Sequence, residues 1–165
     1  ENIIKLNIAK FILDWNNLEI IPNNFMSYKT NKKYDLVMAL GVCYHVDSPF
    51  YFLEKILRFS NTIILSSWFA NEDNIRGERK EWSFKAENYK GDEYYEPDHF
   101  LSGLQKKSVY LDFKSFEKFF KLRNCSIRII DKRISSQVTG IFKFLIIQKN
   151  NVRNSSSKKL NLNIM

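Results

Sequence analysis

The chain has 165 residues, of which 44% are hydrophobic and 15% aromatic, enough for one hydrophobic core but not for a second. No apolar run approaches the roughly 20 residues that cross a bilayer, and the start of the chain lacks the basic flank and apolar core of a secretion signal. Two cysteines far apart in sequence, Cys43 and Cys125, predict a reduced, cytoplasmic chain without a disulfide.

The net charge of +8 admits a nucleic-acid partner, because basic side chains neutralise phosphates whatever the base sequence. The basic residues are nevertheless scattered in short runs: Lys32-Lys33, Lys106-Lys107 and Lys158-Lys159. Such scattering is typical of a solvated surface. The charge therefore leaves both readings open, and the solvated surface is the default.

The first part of the chain predicts a helix followed by two strands. Apolar residues at helical spacing predict an amphipathic helix over residues 2–15, which Asn16-Asn17 ends. Residues 18–21 predict a short strand before Pro22. Residues 34–40 predict a strand buried on both faces, and Gly41 ends it with a tight turn.

The middle of the chain predicts a second helix, a third strand and a long irregular segment. Ser48 is the predicted N-cap and Pro49 the first residue of a helix that reaches about residue 59, and residues 62–69 predict the next strand. Residues 70–110 are polar and aromatic with little periodicity. This segment is predicted to be a substrate lid or a surface loop.

The last part predicts a helix, a hairpin and a tail. Asp112 is the predicted N-cap of a helix with phenylalanines on one face: Phe113, Phe116, Phe119 and Phe120. Residues 126–133 and 140–149 predict two strands that pair as an antiparallel hairpin at the edge of a sheet. The serine- and asparagine-rich residues 151–165 predict a disordered tail.

The loop after the strand at residues 34–40 carries the most reactive side chains, which are Cys43, Tyr44, His45 and Asp47. Ligands of open α/β sheets bind beyond the carboxyl ends of the strands, so this loop is a candidate site. An imidazole titrates near neutral pH, which suits His45 for removing a substrate proton. The same side chain could equally hydrogen-bond the loop.

Residues 35–49 have the sequence Asp35-Leu-Val-Met-Ala-Leu-Gly-Val-Cys-Tyr-His-Val-Asp-Ser-Pro49. This segment resembles the fourth-strand segment of class I S-adenosylmethionine (SAM) dependent methyltransferases. It is most similar to the branch that includes the tRNA wobble-uridine carboxymethyl transferase. The resemblance runs from about residue 22 to residue 69 and recurs more weakly over residues 112–149. It implies an α/β, Rossmann-like sheet with an antiparallel C-terminal hairpin and the strand order 3-2-1-4-5-7-6.

The resemblance also implies an incomplete domain. Such a cofactor site needs a glycine-rich turn after the first strand and an acid after the second. The chain has five glycines, and no two are close enough to form that turn. Residues 1–150 are therefore expected to be the C-terminal part of a methyltransferase domain without its first two strands. The exposed strand edges predict a chain that is marginally stable or prone to aggregate.

Site residues follow from the resemblance position by position. Leu40 and Tyr44 match positions that contact SAM in the family, and Phe25 and Met26 match positions that contact its adenine. The relative has a polar residue at the position of Met26, where this chain departs from it. His45 is the candidate catalytic base, and no metal site is expected because there are only two histidines and no cysteine cluster.

The implied function is transfer of a methyl group from SAM to a small-molecule or tRNA acceptor, with the isolated chain inactive. Asp98 and His99 would line the substrate pocket from the lid. The relative grips a carboxylated cofactor with basic side chains. At the matching place near the last strand this chain has Phe142, with Lys143 as its neighbour, which favours ordinary SAM. The alternatives are a noncatalytic methyltransferase-like module, a basic nucleic-acid-binding protein, or a hydride-transferring Rossmann enzyme. The final antiparallel hairpin argues against the last of these.

Overall fold

A computed structural model describes residues 2–71, 77–95, 107–134 and 140–150. The chain divides into two compact units, Glu1–Asn31 and Lys32–Met165. Among the residues described, no helix is long and apolar enough to span a membrane. The predicted tail at residues 151–165 lies outside the described residues.

The first unit contains one helix, α1 (Asn2–Ile12), which is shorter than predicted. The predicted strand at residues 18–21 is wrong, since this segment is irregular. A strand needs a neighbour to accept its backbone hydrogen bonds, and the described part of this unit contains no other strand. Leu18 N instead donates to Trp15 O over 3.1 Å, closing a local turn. The large apolar side chains of α1 are exposed, and Phe11 reaches 86% exposure.

The second unit contains the predicted strand, helix and strand, but the first strand is shorter than predicted and is buried on one face only, since Met38 and Leu40 are exposed. Strand β1 (Val37–Leu40) is followed by a short 3-10 helix (Cys43–His45), helix α2 (Pro49–Phe59) and strand β2 (Thr62–Ala70). Strands β1 and β2 pair in parallel. Pro49 is the first residue of α2, as predicted, but the side chain of Ser48 makes no capping hydrogen bond.

Residues 70–110 differ most from prediction, because the described part of this segment is mainly strand. It contains β3 (Glu78–Phe84), β4 (Glu87–Tyr95) and the start of β5 (Lys107–Leu111). The β3–β4 turn has φ of 51° at Lys85 and 62° at Ala86, the left-handed geometry of a two-residue hairpin turn. Cross-strand pairs such as Trp82 opposite Tyr89 hold these polar strands together, a contribution that periodicity does not reveal.

Helix α3 (Phe113–Lys121) begins as predicted, with Asp112 Oδ1 accepting a hydrogen bond from Lys114 N over 3.0 Å. The final hairpin is also confirmed: β6 (Cys125–Ile134) and β7 (Gly140–Lys149) pair antiparallel.

The sheet follows the order β3-β4-β5-β2-β7-β6. Strand β7 pairs along the whole of one edge of β2, so β1 and β5 share the other edge. Strand β1 pairs with residues 63–66 in the first half of β2, and β5 pairs only with Phe69 near its end. Thus β1, β2, β7 and β6 lie side by side in the order that the resemblance implies for strands 4, 5, 7 and 6. Strand β5 comes after the carboxyl end of β1 along that edge and places the β3–β4 hairpin beside the loop that follows β1.

One face of the sheet is buried against α2 and α3. The helices contribute Leu53, Ile56, Phe116, Phe119 and Phe120, and the strands contribute Ile63, Leu65, Leu145 and Ile147; all are at most 1% exposed. The opposite face carries Met38 and Leu40, which are 58% and 47% exposed. Helix packing on one face therefore leaves the other available for a site.

The hydroxyl group of Tyr89 is buried in this core without a hydrogen-bond partner among the described residues. The side chain is 0% exposed, and its ring stacks on Phe50 with centroids 4.1 Å apart. Removing an unsatisfied buried hydroxyl removes a desolvation cost, so we expect Tyr89→Phe to raise the free energy of unfolding by about 1 kcal/mol. Urea unfolding would measure this. Tyr51→Phe is the control, because Tyr51 is 49% exposed and should give no change; a less stable Tyr89→Phe protein would contradict the expectation.

Candidate functional site

The turn that ends β1 requires a glycine. Gly41 has φ of +67°, in the left-handed region that side chains with a Cβ rarely adopt. Its backbone N–H donates to both the carbonyl oxygen and the Oγ of Ser66, each over 3.0 Å. This bifurcated hydrogen bond connects the start of the loop to β2 and fixes the direction in which the following residues leave the sheet.

The 3-10 helix places two ring side chains next to each other. The rings of Tyr44 and His45 have centroids 4.1 Å apart. His45 Nδ1 lies 3.1 Å from the Oγ of Ser108, a residue of β5 that is 0% exposed. A buried serine therefore fixes the orientation of the imidazole, which is the arrangement that a positioned base needs.

Four aromatic side chains, which we call the aromatic wall, lie beside this pair: Tyr44, Trp68, Tyr94 and Tyr110. Tyr110 is central, with its ring centroid 4.5 Å from that of Tyr94, 5.9 Å from that of Tyr44 and 6.4 Å from that of Trp68. Gly140 makes room for it, because a Cβ there would lie 3.0 Å from ring carbons of Tyr110. The wall stands on the sheet face that the helices leave uncovered, as strand register shows.

An ion pair supports one end of the wall. Asp92 is 0% exposed, and its Oδ1 accepts a hydrogen bond from Arg79 Nη1 over 2.9 Å. Its Oδ2 lies 3.4 Å from the hydroxyl of Tyr94. The carboxylate thus joins β3 to β4 and orients the Tyr94 ring, because an unpaired buried charge would be costly.

Both cysteines are free thiols, and burial governs their chemistry. Burial raises the pKa of the Cys43 thiol to about 12. Burial also raises the pKa of Cys125, although the charges of Lys149 and Arg123 oppose it. A thiol that stays protonated at neutral pH is a poor nucleophile, so Cys43 serves the site loop as a small apolar side chain.

The structure brings together Leu40, Tyr44 and His45, three of the predicted site residues, at the carboxyl end of β1. Phe25 and Met26 lie in the first unit, where Met26 N donates to Asn24 Oδ1 over 2.8 Å, so their assignment to the site stays a prediction. The predicted substrate residues Asp98 and His99 lie outside the described residues. Among the described residues no group of three potential metal ligands occurs.

Sequence reasoning missed several residues of this site: Arg79, Asp92, Ser108 and Tyr110. All four belong to strands in the segment that was interpreted as a lid or loop. A signal was present in β4 and β5, where Asp92 and Tyr94 alternate with other residues, as do Ser108 and Tyr110. A period of two places each pair on one face of a strand.

No protein-family profile matches the chain, and no curated protein is similar to it. Several solved structures, in contrast, are similar to the chain. The N-terminal domain of EvdMO1 with SAH bound superposes with a TM-score of 0.71 at 18% identity, over 91% of this chain and 61% of that one. The same domain was crystallised in the presence of SAH and D-fucose.

Two further structures are similar over much of the chain. The 1,6-didemethyltoxoflavin-N1-methyltransferase of Burkholderia thailandensis, with 1,6-didemethyltoxoflavin and S-adenosylhomocysteine bound, gives a TM-score of 0.53 at 9% identity, over 87% of this chain and 56% of that one. The magnesium protoporphyrin IX methyltransferase of Synechocystis PCC 6803, with SAM bound, gives a TM-score of 0.51 at 13% identity, over 88% of this chain and 52% of that one. The chain thus spans between half and two thirds of these proteins and has the Rossmann-like α/β fold that they share.

Proposed function

We propose that this chain acts in SAM-dependent methyl transfer. The observation that carries the proposal is the cluster of Leu40, Gly41, Tyr44 and His45 at the carboxyl end of β1, in a fold whose similar solved examples were crystallised with SAM or SAH. Ligands of doubly wound sheets bind at this end of the strands.

The residues at this end of β1 fit such a cofactor. Leu40 presents an apolar side chain that is 47% exposed, and Tyr44 presents a partly exposed ring, which suit a ligand with a flat heteroaromatic group and an apolar chain. We assign Leu40 and Tyr44 to cofactor contacts. When bound, SAM supplies an electrophilic methyl group, which the acceptor atom takes as the carbon–sulfur bond breaks with its electrons staying on sulfur.

His45 is the proposed base that takes the acceptor's proton. A base needs a lone pair on the ring nitrogen that faces the acceptor, and the tautomer with its proton on Nδ1 leaves that lone pair on Nε2. Ser108 Oγ, 3.1 Å from Nδ1, would then accept a hydrogen bond from the Nδ1–H group. The pair therefore orients the ring and is compatible with the useful tautomer, since a serine hydroxyl can accept as well as donate.

Ordinary SAM, and not a carboxylated form, is the proposed cofactor. Lys143 lies opposite Ser67 across the β2–β7 pair, whereas Leu40 lies opposite Ser66 across the β1–β2 pair. Successive residues of β2 point to opposite faces, so Lys143 is on the helix-covered face and Leu40 on the open one. This lysine is not positioned to neutralise an extra carboxylate beside Leu40.

Isothermal titration with SAM tests the cofactor assignment, using both the 165-residue chain and the longest reading frame that contains it. We expect Tyr44→Ala to weaken SAM binding about tenfold, which corresponds to roughly 1.4 kcal/mol. Tyr51→Ala is the control, because Tyr51 is an exposed residue of α2. If neither folded protein binds SAM, the methyl-transfer proposal fails and a noncatalytic, methyltransferase-like module takes its place.

The role of His45 has a separate test. We expect His45→Gln to lower kcat by roughly 10²- to 10⁴-fold, the usual contribution of a general base, while leaving the Kd for SAM within twofold. The amide keeps a hydrogen-bonding group of similar reach toward Ser108 but cannot take up a proton at neutral pH. Single-turnover methyl transfer from labelled SAM would measure the effect, and an unchanged rate would remove His45 from catalysis.

A further inference from the structure

We propose that the acceptor is a small molecule with a hydroxyl-bearing six-membered ring that packs against the aromatic wall. This inference rests on the proposed function, because the wall adjoins the residues assigned there to catalysis and cofactor binding. It names the class of acceptor, which the general fold leaves open.

The first argument is the surface that the wall presents. Tyr44, Trp68 and Tyr94 are each partly exposed, and Tyr110, which they surround, is 7% exposed. Neighbouring ring centroids are between 4.5 and 6.4 Å apart. The rings of Trp68 and Tyr110 are 22° from parallel, whereas Tyr44 is nearly perpendicular to Tyr110, at 86°. The wall therefore offers both ring faces and ring edges, and aromatic side chains favour stacked or edge-on ring partners.

The second argument is that the wall is held in place before any ligand binds. Asp92 orients Tyr94, the absence of a side chain at Gly140 seats Tyr110, and Phe142 packs edge-on against Trp68 with centroids 5.4 Å apart. A preformed surface binds a ligand without first losing side-chain entropy.

The third argument is polarity. The hydrogen-bonding end of the wall is formed by His45 with Ser108, and the ring of Tyr44 lies beside both His45 and Tyr110. A ring stacked on the wall would therefore direct a hydroxyl toward His45. The charged side chains at the other end, Arg79 and Asp92, form an ion pair and together add no net charge. This favours an uncharged ring over the phosphate backbone of a tRNA.

Saturation-transfer and ¹H–¹⁵N NMR of the 165-residue chain, without SAM, test the inference. The probes are D-fucose, phenol and, as a hydroxyl compound without a ring, glycerol. We expect one or both ring probes to bind, with shifts at Tyr44 and His45, and glycerol not to bind. Binding of D-fucose alone identifies a carbohydrate acceptor and binding of phenol alone an aromatic one; either result upholds the inference.

Variants locate the binding surface. Tyr94→Leu and Trp68→Leu should each raise the Kd of the ring probe at least fivefold. Tyr95→Leu is the matched control, because Tyr95 is the next residue of β4, points to the other face and is 73% exposed. Tyr94→Phe keeps the ring but removes its contact with Asp92, so its Kd should lie between those of the parent and Tyr94→Leu, which provides a test even if a leucine variant does not fold.

Three results would overturn the inference: neither ring probe binds, the wall variants bind no more weakly than Tyr95→Leu, or a short RNA binds the wall in place of the ring probes. SAM titration keeps the two proposals apart. A chain that binds SAM but no ring probe loses only the acceptor class, whereas one that binds a ring probe but no SAM in either protein length loses the methyl-transfer function.

Discussion

Replacing Phe119 by alanine should lower the free energy of unfolding by about 3–5 kcal/mol, the usual cost of removing a fully buried phenylalanine. Phe119 is 0% exposed, and its ring centroid is 5.5 Å from that of Phe50 and 5.9 Å from that of Tyr89. The guanidinium carbon of Arg123 lies 3.6 Å from the same centroid. One side chain thus joins α3 to α2 and to the β4 strand of the candidate site.

Such a loss is a large part of the total stability of an ordinary domain. Urea unfolding followed by circular dichroism would measure it. Tyr51→Ala provides the control, since truncating this exposed tyrosine of α2 should cost less than about 0.5 kcal/mol. A loss below about 1 kcal/mol for Phe119→Ala would mean that the three elements are not joined through this ring.

The parts of the fold that were predictable carry strong local signals. Pro49 marks the start of α2, and Asp112 caps α3 with a hydrogen bond to Lys114 N. Apolar residues repeat every three or four positions along both helices, and β2 and β7 are long apolar runs. Each of these signals depends only on neighbouring residues, so they can be read before any tertiary contact is known.

The segment at residues 70–110 was misjudged because its strands are stabilised by contacts across the sheet. Strand β3, with the sequence ERKEWSF, has almost no apolar alternation. Its ladder is supported instead by pairs such as Lys90 with Glu81, 3.1 Å apart, and Trp82 opposite Tyr89. The prediction of a strand at residues 18–21 was wrong for the opposite reason. The local pattern is strand-like, but the described part of this unit contains no strand with which the segment could pair.

The candidate site was predictable in part. The rule that ligands bind beyond strand ends led to the loop with Tyr44 and His45, and the resemblance added Leu40. The structure brings these three residues together. Ser108 and Asp92 could not be found in this way. They reach the site only because β5 comes after the carboxyl end of β1 along the same edge of β2, which is a property of topology that no local pattern contains.

Lys143 should make the protein more stable as the pH rises from about 8 to about 10.5. The side chain is 7% exposed, and its Nζ lies 2.9 Å from the centroid of the Phe113 ring. Burial, and then the charge of Lys132, lowers the pKa of Lys143 to about 8, although Glu117 and Asp112 oppose the shift. In this pH window the folded chain has released the proton that the unfolded chain still binds, so stability increases with pH.

The size of the effect follows from the shift. The pKa falls from 10.5 to about 8, and at about 1.4 kcal/mol per unit the charged lysine costs the fold up to roughly 3 kcal/mol below pH 8. Contact of the ammonium group with the Phe113 ring reduces this cost, since a cation over an aromatic face is stabilised. Lys143→Met keeps the length of the side chain and removes the charge. We therefore expect this variant to be about 2–3 kcal/mol more stable at pH 7 and to lose the rise above pH 8.

Comparing the two proteins by urea unfolding at pH 7, 8.5 and 10 isolates this lysine, because every other titrating group is common to both. Lys132→Met is the matched control, because Lys132 lies opposite Lys143 in the β6–β7 pair and is exposed. Its replacement should change the free energy of unfolding little. It should also raise the pKa of Lys143, because the charge of Lys132 lowers that pKa. If Lys143→Met is no more stable than the parent at pH 7, the ammonium group is not desolvated, and Lys143 must reach solvent past Phe113. Lys143 would then be a solvent-accessible cation on the helix-covered face of the sheet. It would still lie on the face opposite Leu40, so ordinary SAM would remain the proposed cofactor.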